Sequence, residues 1–198
     1  MMLINPYAFG APLTTVVDYQ FNGTDGATTT TDSTSNTTAS GLGIVDGGHY
    51  AYISSNKLLC LQKVITIDNG GSLSPYLTFE GDFEIEFKQQ YSYTTGFYAE
   101  TVLEFKADSS PSFRLNLFAD GTFTFSYSSG GFDFTGSGVN VNAEQTFKLA
   151  RTSGILSLFI DGVSRGSIAN ASVMNAGRLY LSFNPYERYV DYLRIKKA

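Results

Sequence analysis

The sequence predicts an all-β protein built as a two-layer antiparallel β-sandwich, and three observations carry that prediction. Apolar and polar residues alternate in short runs, as where Phe83, Ile85 and Phe87 interleave with Glu84, Glu86 and Lys88; this is the period-two mark of a half-buried strand. Turn chemistry separates the runs, above all at Asp120-Gly121 and Asp161-Gly162, and Asp-Gly between alternating hydrophobics is the strongest short-range hairpin signal. The composition agrees, with 16 Phe, 13 Tyr, 20 Gly and no Trp in 198 residues, and no helical period of useful length interrupts it. Sheets without helices to cover them must cover one another.

Taken in order, residues 1–15 (MMLINPYAFGAPLTT) do not read as a strand, because Pro6 and Pro12 break any ladder and Gly10 loosens the backbone. They are expected to form an extended N-terminal arm, with Pro6, Tyr7 and Phe9 as the partner-binding residues; the bland alternative is a frayed terminus that tucks two rings onto the body. Residues 16–198 are expected to form one sandwich domain. VVDYQF, 16 to 21, is its first strand, and the polar, Thr-rich stretch after it reads as a long surface loop. KLLCLQKVITI reads as one or two strands closed by DNGG. TVLEFKA, FRLNLF, FTFSY, FDFTG, TFKLAR, LSLFI, RLYLSF and YVDYLRI complete about a dozen strands.

Charge narrows the function classes. The formal net charge is −5, and no basic patch offers to neutralise phosphates or an acidic membrane surface. Nucleic acid and membrane are therefore not expected partners. The single cysteine, Cys60, lies in the apolar run LLCL and reads as an inert thiol. MMLINPYAFG lacks the charged and apolar regions of a signal peptide, so the chain is expected to fold in a cytoplasm.

Several stretches together resemble a known family. GDFEIEF is similar to the strand that opens the second half of concanavalin A-like, laminin-G-like jelly rolls. TFKLARTSGILSLFIDGVSRGSI resembles their strand–hairpin–strand signature, and the closing RLYLSFNPYERYVDYLRI resembles their last strands with an Asp-x-x-Arg-Ile ending at Asp191 to Ile195. The resemblance covers about residues 16 to 196. It implies a concanavalin A-like jelly roll of the kind found in lectin-like modules, bacterial surface proteins and structural proteins of tailed bacteriophages. INPYAFG and the Thr-rich first loop are most similar to the phage set. The chain departs from the family at Lys88, at Phe183-Asn184 and at Tyr192, so no ligand site is inherited position by position.

Glu80, Asp82 and Glu84 resemble the Glu-x-Asp-x-Glu strand of one glycan-cleaving sandwich group, where a retaining pair must sit about 5–5.5 Å apart. Gly81 between the first two acids, a start within a turn and the lack of Trp platforms argue for a plain polar strand face instead, so no catalytic residue and no enzyme activity is expected. His49, the only histidine, cannot build a His-based zinc site. Jelly rolls of this type can hold calcium at a rim; Asp25, Asp32 and Asp46 are the scattered candidates here, and no cofactor is expected. Asp191 shares strand parity with Leu193 and Ile195, which calls for a bulge or for a buried pair with Arg151 or Arg178. Tyr91, Tyr93, Phe97, Tyr98 and Tyr186 supply aromatic rings suited to glycan or protein contact, the tyrosines adding a polar tip to an apolar face.

The resulting expectation is a bacteriophage virion structural protein, a head-surface decoration protein or tail component located in the virion. It would hold other virion proteins, such as a major capsid or tail protein, in a homo-oligomeric or multi-copy assembly. The first alternative is a lectin-like carbohydrate-binding module that contacts a surface glycan, and the second is a glycan hydrolase.

Overall fold

The computed structural model describes residues 12–22, 24–26, 33–34, 38–40, 43–45, 49–61, 64–68, 76–91, 100–106, 113–118, 120–127, 134–140, 143–169, 174–175, 178–182 and 188–198. Their strands are, in chain order, β1 (Thr14–Tyr19), β2 (Thr38–Ser40), β3 (Gly43–Val45), β4 (His49–Ser54), β5 (Lys57–Leu61), β6 (Val64–Asp68), β7 (Thr78–Phe79), β8 (Phe83–Tyr91) and β9 (Glu100–Lys106). There follow β10 (Phe113–Leu117), β11 (Thr122–Tyr127), β12 (Phe134–Ser137), β13 (Gln145–Thr152), β14 (Ile155–Ile160), β15 (Val163–Ala169), β16 (Met174–Asn175), β17 (Arg178–Ser182) and β18 (Arg188–Lys197). No helix occurs among the described residues.

Two antiparallel sheets form the sandwich. The first has nine strands in the order β15-β14-β13-β8-β18-β5-β4-β3, with β1 also pairing β18; the second has seven in the order β12-β11-β10-β9-β17-β6-β2. A two-stranded ribbon joins β7 to β16. The expected all-β sandwich is therefore the observed architecture. Two local boundaries differ from the sequence reading, and one open reading is settled. Thr14 and Thr15, assigned to the arm, already pair with Lys197 and Lys196. The Thr-rich stretch contains β2. KLLCLQKVITI is two strands, β5 and β6, that belong to opposite sheets.

Register explains the core. Ile160, Phe147, Phe87, Leu193 and Tyr19 stand opposite one another in successive strands, as do Leu158, Leu149, Ile85, Ile195 and Val17. All ten are buried. Leu103, Leu115, Leu117, Phe123 and Phe125 are buried from the second sheet. Each such side chain contributes roughly 1.5–3 kcal/mol by leaving water. The parity of Asp191 is resolved by a bulge: the β8–β18 register shifts between Val190 and Tyr192, which turns Asp191 outward to Lys88 at 3.3 Å. Its partner is thus neither Arg151 nor Arg178.

Both ends of the core rows are polar. Arg151 stands opposite Phe83 at one end, and Gln145 stands opposite Gln89 at the other. Arg151 is 2% exposed and Gln89 2%. The edge formed by β12 and β15 is sealed by small residues: a Cβ on Gly136 would lie 2.6 Å from the Phe123 ring, and one on Gly166 would lie 2.6 Å from the Phe134 ring. Gly166 thus lets Phe134 of the other sheet approach, and Gly136 makes room for Phe123 on the neighbouring strand of its own sheet.

Candidate functional site

The acidic stretch is built at the start of β8. Arg151, held inside the sandwich, donates from Nη2 to the Phe79 carbonyl at 2.8 Å and from Nε to the Gly81 carbonyl at 2.9 Å. Its guanidinium also lies 5.1 Å from the centre of the Phe83 ring. This clamp fixes the turn before β8. Asp82 extends from that turn and accepts a hydrogen bond from the Ser153 backbone N–H at 2.8 Å, which supports the tight β13–β14 turn. Ser153 and Gly154 there have φ of 50° and 76°, the left-handed pair that a two-residue hairpin loop requires.

The three acids do not converge. Glu80 is exposed in the turn and Asp82 is half-buried beside it. Glu84 lies within β8 on the outer face, between Lys196 at 3.5 Å and Lys148 at 3.7 Å. A cleft of about 480 Å³ opens at the turn, lined by residues 78 to 82 with Lys197 and Ala198, and Glu84 is not part of it. The arrangement is a structural corner with one carboxylate capping a hairpin.

The outer face of the nine-stranded sheet is a neutralised charge lattice. Glu144 joins Lys57 and Lys88, and both lysines donate to it, which holds its carboxyl below the ordinary value of 4.5. Arg194 meets Asp18 at 3.3 Å. The Tyr192 hydroxyl donates to Glu86 at 2.9 Å; burial, then the Glu86 contact, pushes its pKa up to about 12. Among the described residues of this face, opposite charges answer each other across strands.

Of the calcium candidates, Asp25 has another task. Its carboxylate accepts from the Ser55 N–H at 2.8 Å, beneath the β4–β5 turn in which Ser55 and Asn56 both have positive φ. Asp32 and Asp46 lie outside the described residues. Among the described residues no group of three or more His, Cys, Asp or Glu could hold a metal ion. His49 starts β4 opposite Val45. The hairpin aspartates also do more than turn the chain. Asp161, at φ 52°, accepts from the Thr146 N–H at 2.8 Å and from the Gln145 amide at 2.9 Å.

Of the tyrosine candidates, Tyr91 lies at the far end of β8. Tyr91 is its last residue and pairs with Arg188, the first residue of β18. The chain toward Tyr93, Phe97 and Tyr98 therefore leaves beside the point where the chain from Tyr186 arrives. Those four residues, like Pro6, Tyr7 and Phe9, lie outside the described residues. Under this end the inward row carries Arg188, fully buried, and Gln89, whose amide has no hydrogen-bond partner among the described residues. Sequence alternation placed neither residue in the interior, because both are polar types at positions that pattern assigns to apolar ones. The Arg151 clamp was equally hidden, since its acceptors are backbone carbonyls about seventy positions away.

No family model matches the chain, and no curated protein matches it. Solved structures do. Domain 4 of AbnA, a GH43 extracellular arabinanase from Geobacillus stearothermophilus, in complex with arabinotriose, aligns with a TM-score of 0.62 at 16% identity over 94% of this chain and 93% of that one. The botulinum neurotoxin serotype D binding domain aligns with a TM-score of 0.66 at 10% identity over 91% of this chain and 47% of that one. Trypanosoma rangeli sialidase in complex with 2,3-difluorosialic acid aligns with a TM-score of 0.67 at 11% identity over 91% of this chain and 30% of that one. This chain thus spans about half of the toxin binding domain and less than a third of the sialidase. At these identities the likeness establishes the fold alone, an antiparallel β-sandwich.

Proposed function

We propose that this chain is a non-catalytic glycan-recognition module whose ligand contacts come from Tyr91, Tyr93, Phe97, Tyr98 and Tyr186. The observation that carries the reading is the Tyr91–Arg188 pairing, which roots the two tyrosine-bearing segments next to each other at one end of the sandwich. Tyrosine rings stack on sugars through their faces and hydrogen-bond through their hydroxyls. The fold likeness to an arabinanase domain bound to arabinotriose, aligned over nearly the whole of both chains, supports the same class of ligand. The commitment of Asp82 to Ser153 and of Glu84 to two lysines argues against hydrolysis at the acidic stretch.

The glycan reading takes precedence over a virion structural role, because the latter rests on INPYAFG and the Thr-rich loop, for which neither the fold nor the comparisons supply support. A glycan array probed with the purified chain tests the proposal. Saturable binding to a glycan class that Tyr98→Ala removes supports it; an array without any signal at high protein concentration contradicts it.

A further inference from the structure

The inward row of β8 carries one side chain that the interior does not serve. Phe83, Ile85 and Phe87 belong to the apolar core, and Gln89, next in the row, is 2% exposed. Its amide brings two N–H donors and an acceptor oxygen. Neither Nε2 nor Oε1 has a hydrogen-bond partner among the described residues. A buried polar group left in that state costs free energy, and native interiors meet such groups with protein atoms or with ordered water.

The neighbouring strands explain why no side chain opposite answers it. Gln89 stands between Gln145 on β13 and Val190 on β18. Val190 is apolar and fully buried. Gln145 is committed elsewhere: its Nε2 donates to the Gly138 carbonyl at 3.1 Å and to Asp161 Oδ2 at 2.9 Å, and its Oε1 accepts from the Asn140 N–H. Both of its amide hydrogens are therefore used, and none is left for Oε1 of Gln89. Turning Gln145 toward Gln89 would release either the β12–β13 connection or the β14–β15 hairpin. The group that fits is small, because protein interiors are close-packed, and it must donate as well as accept. Water meets both conditions, whereas an apolar group would leave the amide unanswered and a larger polar one would need a passage that 2% exposure does not offer.

We propose that Gln89 is the anchor of an internal water-binding site between the two sheets, where a long-lived water accepts from Nε2 and donates to Oε1. A single water can do both, on the side of the amide where one N–H and the oxygen point the same way. Arg188, fully buried and opposite Tyr91 in the next step of the β8–β18 pairing, makes this end of the interior polar as well. The inference rests on the burial of Gln89 and the commitments of Gln145, and does not depend on what the tyrosine end binds. The test is water–amide NMR on the ¹⁵N-labelled full chain. The Gln89 side-chain NH2 hydrogens, assigned through their correlation to the backbone, are expected to show water cross-peaks of opposite sign in NOESY and ROESY spectra, the mark of contact with a long-lived water rather than of hydrogen exchange. Oxygen-17 relaxation dispersion should then count at least one long-lived water fewer in Gln89→Met than in the parent. If Gln89→Met does not fold, the spectra of the parent decide alone. No cross-peak at the Gln89 amide, cross-peaks of equal sign only, or an undiminished water count in a folded Gln89→Met would each overturn the assignment.

Discussion

The carboxylate of Asp82 caps the backbone of Ser153, 71 positions later, at 2.8 Å. A carboxylate that the sequence offers as one member of a catalytic trio is thereby a fastener between β8 and the β13–β14 hairpin. Asp82→Ala should lower unfolding stability by about 1–2 kcal/mol, the worth of a charge-assisted bond to a backbone donor. Urea denaturation measures it, and Asp82→Asn should recover part of the loss because its amide oxygen can still accept.

The sealed sheet edge makes a sharper contrast. Gly136→Ala would place a methyl 2.6 Å from the Phe123 ring, and that ring is fully buried. The expected loss is roughly 1–3 kcal/mol, typical of overpacking. Gly26→Ala meets no atom within 4 Å and carries only the strain of φ 83°, about 1 kcal/mol. Thermal unfolding of the pair should rank Gly136→Ala as the more damaging.

The charge lattice predicts an acid-side effect. Glu144 has its pKa lowered by hydrogen bonds from Lys57 and Lys88. A depressed carboxyl contributes stability that is present above the unfolded value of 4.5 and is lost as pH falls through the lower folded value. Glu144→Gln should therefore be less stable than the parent at pH 7 and should lose less on acidification to pH 3. The difference should be no more than about 1 kcal/mol, since the pair is only partly shielded from water.

An alkaline counterpart lies at Tyr192. Its phenol is raised to about 12 by burial and by Glu86, so the neutral form is favoured in the fold. That contribution is complete below the unfolded value of 10 and declines as pH rises from 10 toward 12. Tyr192→Phe should flatten this decline in stability measured between pH 9 and 12.

The extent to which the fold is legible in the sequence follows from how local each determinant is. Asp161 and Gly162 take the left-handed φ values, 52° and 77°, that their residue types announce, and Phe83, Ile85 and Phe87 are buried as their alternation predicts. The broken parity at Asp191 calls for a bulge or a buried pair, and the register shift beside it supplies the bulge. What stays hidden is long-range. Asp25 reaches Ser55 and Arg151 reaches Phe79 through backbone atoms, which every residue carries and which therefore leave no mark in side-chain pattern. Gln89 and Arg188 are buried polar residues, and alternation assigns such types to the surface. The pairing of Tyr91 with Arg188 spans 97 positions and becomes visible only once sheet order is known.

Amide-resolved NMR during titration with a glycan selected from the array tests most directly whether the tyrosine end is where this module meets its ligand. Saturable shifts concentrated at Gln90, Tyr91, Arg188 and Tyr189, and lost in Tyr98→Ala, are the predicted result. Binding that leaves those amides unmoved and perturbs another part of the sandwich instead would contradict it.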